Sequence, residues 1–146
     1  MSTVLRLSGT EFNVEVAMAS TSLEPCAVRR KGGLRFPKSQ TNTSVFESSG
    51  LNFLVSDAGF HEFEFQVDDA IEFLESQFDE LKPLLASPGI DEAWLGFGVA
   101  KRDVVAQVDL FPSRLIRLAG ALGLGIEVSQ YPVSSSGSDS ESASNE

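Results

Sequence analysis

The chain has 146 residues, with 21 acidic side chains against 11 lysines and arginines and a formal net charge of −10. That balance speaks against nucleic acid or an anionic membrane as partner, because both demand clustered cations. It suits a basic protein met by electrostatic steering. The single cysteine, Cys26, has no internal disulfide partner and fits a reducing compartment. No apolar run is long enough for a signal peptide or a membrane span, so a cytoplasmic chain is expected.

Residues 1–132 read as one α+β domain, and 133–146 as a low-complexity, acidic, Ser-rich tail expected to be disordered. In chain order, residues 3–7 alternate as a first strand, with Leu5 and Leu7 on one face and Val4 and Arg6 on the other. Asn13 is placed to cap a short helix over 14–20, with Val14, Ala17 and Met18 inward. Leu23-Glu24-Pro25 is an exit, since the residue before a proline avoids the helical region. From Arg29 to Gly50 the chain is basic, then rich in Ser, Thr and Asn, and reads as a long mobile connection with a short edge strand at Val45-Phe46. Residues 51–56 form a second strand.

Phe63 and Phe65 alternate with Glu62, Glu64 and Gln66, which predicts a half-buried extended run entering the main helix. That helix spans 67–87. Val67, Ile71, Leu74, Phe78, Leu81 and Leu85 fall within roughly 80° on a helical wheel. Asp68 is the expected N-cap, and Pro83 is expected to kink the helix. Residues 93–99 and 104–110 predict a hairpin, with Ala93, Leu95, Phe97 and Val99 on one face and Trp94, Gly96 and Gly98 on the other. Ser113 is expected to cap a last helix with Leu115, Ile116, Ala119 and Leu122 inward and Gly123 at its C′ position. Residues 126–131 form a final strand. The fold class is α+β: an antiparallel sheet of about five strands with helices mainly on one face, a ferredoxin-like sandwich variant.

No catalytic pattern emerges. Cys26 and His61 would form a nucleophilic pair only if the fold brought them together. One histidine and one cysteine do not make a zinc site. Gly96-Phe97-Gly98 lacks the third glycine and the following helix of a dinucleotide fingerprint. No cofactor or metal is expected. Two surfaces stand out. Phe73 lies about 120° from the centre of the apolar stripe, beside Asp69 and Glu80 on the wheel, with Glu72 further round. An aromatic rimmed by acids is the pattern of a protein-binding anchor. Beyond Trp94, the missing side chains of Gly96 and Gly98 leave a shelf on the second sheet face. With Arg29, Arg30 and Lys31 it would suit an anionic small molecule, unless the long connection packs over it.

Leu5-Arg6-Leu7-Ser8-Gly9 with Phe12, then Leu23-Glu24-Pro25 and Arg30-Lys31-Gly32, resemble the opening of a bacterial family known only as domain-of-unknown-function family 4279. The acidic helix from Asp68-Asp69-Ala70-Ile71 to Leu81-Lys82-Pro83, and the close from Leu118-Ala119 through Leu122-Gly123-Leu124 to Tyr131, are similar to it. The chain departs from the family at Asn52-Phe53, where the family often has a tryptophan. The resemblance implies a small bacterial α+β domain and brings no catalytic residues. Together these features predict a non-enzymatic protein-binding module that would take the immunity-type role of neutralising a basic protein. An anionic-ligand or regulatory domain is the alternative, and an enzyme with a fold-assembled site a remote one.

Overall fold

The strand alternation and the helical stripes meet in one sheet with two unlike faces. The computed structural model describes residues 1–132; the Ser-rich tail lies outside the described residues. The elements are β1 (Thr3–Gly9), α1 (Val14–Ala19), β2 (Ala27–Arg29), β3 (Ser49–Ser56), α2 (Phe63–Ser76), α3 (Phe78–Leu85), β4 (Glu92–Lys101), α4 (Ser113–Ala121) and β5 (Gly125–Pro132). The sheet order is β2-β3-β1-β4-β5. β1 lies between β3 and β4 and is antiparallel to both, and β2 is antiparallel to β3. The first four strands with α1 and the α2–α3 pair follow the ferredoxin-like β-α-β-β-α-β order. α4 and β5 extend it, and β5 runs parallel to β4. The sheet is therefore mixed rather than purely antiparallel.

One face of the sheet carries the core. Leu5, Leu7, Leu51, Phe53, Leu95, Phe97 and Val99 pack with side chains from all four helices among the described residues: Val14 and Ala17, Phe63, Val67, Ala70 and Leu74, Leu81 and Leu84, Leu115 and Ala119. Register explains the shared face. Leu5 sits opposite Phe53 on one side and Leu95 on the other, so a single period of two serves three strands.

Local chemistry sets most element ends. Asn13 Oδ1 accepts from the backbone of Val16 at 3.2 Å and starts α1. α4 ends on Gly123, whose φ of 74° suits a residue without a Cβ. There the Gly123 N–H donates to Gly120 and the Leu124 N–H to Ala119, closing the last orphan carbonyls.

Several expected details differ. Helix α2 begins at Phe63, so the extended run over 62–66 and the cap at Asp68 give way to helix. Glu62 stands at the N-cap position, and its carboxylate accepts from the Gly59 N–H at 2.7 Å. The main helix breaks at Gln77, not at Pro83. Restarting at Phe78 puts the carbonyl that Pro83 crowds, that of Asp79, in the first turn of α3. Pro112, not Ser113, occupies the N-cap position of α4, with no side-chain cap bond. Ile116 faces outward.

The expected hairpin is absent. β4 runs on to Lys101, and residues 102–112 form a loop whose bonds come from Gln107: its Oε1 accepts from Arg102 N at 2.8 Å and its Nε2 donates to Ala100 O at 3.1 Å. The free edge of β4 is taken by β5. Residues 30–48 fold back on themselves through a Leu34–Val45 bridge, with the Arg35 guanidinium 5.3 Å from the Phe46 ring centroid. Arg29, expected in that connection, belongs to β2.

Leu74→Ala should cost about 2–5 kcal/mol through lost transfer energy and a cavity, whereas Ile116→Ala should change stability by about 0.5 kcal/mol or less. Urea unfolding of the two variants checks the facing of both helices.

Candidate functional site

The acids expected to present a partner surface are partly engaged inside the molecule. Asp69 Oδ2 accepts from Ser56 Oγ at 2.6 Å. Glu80 Oε1 accepts from the Ser22 hydroxyl and, at 3.0 Å, from the Ser22 backbone nitrogen. The hydroxyl first and the backbone second hold the Glu80 carboxyl below the usual carboxylate range. Glu72 is exposed, but Phe73 is half-buried against the core. The proposed anchor therefore packs into the fold instead of standing clear of it.

The exposed aromatic of this helix is Phe65, at 60 %. Phe63 points inward and meets Phe97 and Phe111 edge-on, with ring centroids 5.9 and 5.3 Å away. Two residues further along a helix is about 200°, so Phe65 is turned out to solvent. Across from it, the loop over 102–112 is fixed at its end by Phe111, whose ring also meets Phe97 at 5.1 Å. Val108 and Leu110 of that loop are 67 and 75 % exposed.

A groove of about 650 Å³ runs between the two, lined by Phe65, Val67, Val108, Leu110 and Pro112 among others. Its polar lining is acidic: Glu62, Glu64, Asp68 and Asp109 stand against Arg102 and His61. Arg102 is itself spoken for, lying 3.4 Å from Asp109. Reading Phe63 and Phe65 as strand residues hid this surface. Steps of four, three and four from Phe63 through Val67 and Ala70 to Leu74 were the signal that could have revealed it.

The second sheet face is the other candidate. Trp94, Gly96 and Gly98 share it, and Trp94 is 38 % exposed. Arg29 joins them from β2, because Arg29 pairs with Gly50 and Ala27 with Asn52 in the same alternation. Arg30 and Lys31 do not join them. Arg30 Nε donates to Glu15 Oε2 at 2.7 Å, which lowers the Glu15 pKa and raises that of Arg30, and Lys31 lies 3.6 Å from Glu11.

Sequence reasoning missed Arg6, Asn52, Glu127 and Tyr131, which β1, β3 and β5 bring to this face. Glycines make the face flat. The Arg29 guanidinium lies over Gly50, Arg6 over Gly96, Tyr131 over Gly98 and the Trp94 indole over Gly125, each where a Cβ would intrude. Among the described residues no grouping of three or more metal-ligating side chains occurs, and Cys26 is a free, exposed thiol. No helix among them is long and apolar enough to cross a membrane.

No family model matches the chain, and neither a curated protein nor a solved structure does.

A methyl group on Gly125 would fall 2.5 Å from the Trp94 ring. Gly125→Ala should therefore push the indole into water and move the emission of the chain's one tryptophan to longer wavelength. Gly120→Ala, with nothing within 4 Å, should leave the spectrum unchanged. The Ser22 contact favours the ionised form of Glu80. Its contribution is present above the carboxyl's unfolded value and is lost as pH falls through the lower folded value. Ser22→Ala should accordingly raise the Glu80 pKa toward the ordinary range, as read by an NMR titration.

Proposed function

We propose that this chain is a non-enzymatic protein-binding module that seats a basic, apolar segment of a partner protein in the groove between the start of α2 and the loop over 102–112. The observation that carries the reading is Phe65: a large aromatic in water, on a rigid helix, facing Val108 and Leu110 and surrounded by carboxylates. Solvating that much apolar surface costs free energy that a docked partner recovers. The acids decide the partner's charge. Glu62, Glu64 and Asp68 exceed the available cations, and the net charge of −10 draws a basic protein toward the rim.

Phe65, about two helical turns nearer the N-terminus of the same acidic segment, takes the anchoring role expected of Phe73. An immunity-type role, an acidic module that blocks a basic effector, is the biological form of this proposal. Membership of the uncharacterised bacterial family and a cytoplasmic setting belong to it as well; the free thiol of Cys26 suits the latter.

The test uses two labelled amphipathic helical peptides of equal apolar content, one of Leu and Lys and one of Leu and Glu, with binding followed by anisotropy and stopped flow. The Lys peptide should bind and the Glu peptide should not. Phe65→Ala should weaken binding about tenfold or more, mainly by faster dissociation, with stability within about 0.5 kcal/mol of the parent. Reversing Glu64 and Asp68 to Lys should slow association and flatten its salt dependence. Equal binding of both peptides, or a Phe65→Ala variant that binds like the parent, would overturn the proposal.

A further inference from the structure

The open sheet face lies away from the helices and from the groove over 61–68 and 102–112. Across β4, β1, β3 and β2, register sets Trp94 opposite Arg6, Arg6 opposite Asn52 and Asn52 opposite Ala27. Arg29 stands in the next row, level with Gly50. Its Nη1 donates to Asn52 Oδ1 at 3.0 Å. That bond takes the amide's acceptor and leaves the Asn52 Nδ2 hydrogens as donors. Arg6 reaches the other way, over Gly96, to an ion pair with Glu127 on β5.

Arg29 has no carboxylate among the described residues. It is partly buried over Gly50, and burial, followed by the charge of Arg6, pulls its guanidinium below the usual value. A cation held partly out of water beside a second cation is unfavourable until an anion reaches it. The row therefore offers two guanidinium groups and a side-chain amide, all donors. Beside them Trp94 and Leu54 leave apolar surface exposed.

We infer that this face is a second binding site, for a small molecule that carries an oxyanion, a carboxylate or a phosphate, on a flat aromatic body. The oxyanion sits at the Arg29 fork, helped by Asn52 and by Arg6 on the other flank. A forked guanidinium matches a two-oxygen edge better than an ammonium does. The aromatic body lies toward Trp94. The six-membered ring of the indole lies over Gly125, and Trp94 keeps 38 % of its surface exposed. Glycine at 50, 96 and 125 is what lets the arginines and the indole lie low enough to leave a shelf. Glu127 limits affinity from within the site: it holds Arg6 and repels an incoming anion. The site is distinct from the groove, and either can fail without the other.

Trp94 is the chain's one tryptophan, so it reports on its own site. The probes are phenyl phosphate, benzoate and inorganic phosphate, titrated into the full chain while tryptophan emission is followed, with calorimetry for variants. Phenyl phosphate and benzoate should give saturable changes in Trp94 emission, and which of the two binds more tightly identifies the oxyanion. Inorganic phosphate, lacking the ring, should bind more weakly than phenyl phosphate.

Arg29→Gln should weaken the tighter aromatic probe about tenfold or more, and Arg29→Lys should recover only part of that loss. Glu127→Gln should tighten binding several-fold, a gain that mere loosening of the sheet would not produce. Circular dichroism and melting of each variant confirm the fold. No saturable change up to about 10 mM of either aromatic probe, or binding indifferent to both Arg29→Gln and Glu127→Gln, would overturn the inference.

Discussion

Gln66 holds the two halves of this structure together. It is fully buried, yet its carboxamide is satisfied on three sides. Oε1 accepts from Thr3 Oγ1 at 3.1 Å, while Nε2 donates to Gly98 O at 2.8 Å and to Gly59 O at 3.1 Å. One side chain on the first turns of α2 thus ties β1, β4 and the turn before the helix. A buried amide is tolerated only when all its bonds are made, so this one also fixes the rotation of α2 about its own axis. With Gln66 pointing into the sheet, Phe63, Val67, Ala70 and Leu74 must enter the core, and Phe65, Glu64 and Asp68 must leave it.

The second constraint is the asymmetry of the sheet. Every helix among the described residues packs on one face, so that face has the large aliphatic and aromatic residues. The other face uses glycine where the first uses leucine. A bare strand surface would expose backbone and solvate poorly packed apolar atoms. Here the long side chains of Arg6, Arg29, Trp94 and Tyr131 lie across the glycines, and Tyr131 stacks on Phe60 with centroids 5.2 Å apart. The guanidinium groups of Arg29 and Arg6 and the rings of Tyr131 and Trp94 cover the glycine backbone. This paving is what turns an uncovered sheet into a surface with donors and an aromatic plane.

The two candidate surfaces differ in sign for the same reason that they differ in place. The acids cluster on the outer side of α2 and α3, where the helix wheel sends everything that is not core. The arginines cluster on the open sheet face, where strand alternation sends the chain neighbours of Leu5, Leu7 and Val28. A chain with a large negative charge therefore still presents guanidinium groups, because the sheet separates them from the helical acids.

The sequence by itself determined the α+β class, the inward face of β1 and β4, the Asn13 cap, the Gly123 stop and the final strand. Each rests on a local rule: alternation, an orphan donor, a positive φ. It also placed Trp94, Gly96 and Gly98 on one face, since strand parity is local. Only the tertiary structure decided that Phe65 is exposed. The segment over 62–66 satisfies both a period of two and a period of 3.6, and the Gln66 bonds to Thr3 and Gly98 settle it as helix. The parallel pairing of β5 with β4, which displaced the expected hairpin, is likewise non-local, because it joins two strands separated in the chain by a loop and α4. The meeting of Arg29, Asn52 and Arg6 depends on the register of three strands up to 46 positions apart in the chain. Spacing along a sequence carries no information about such encounters, because register is fixed by the core on the opposite face.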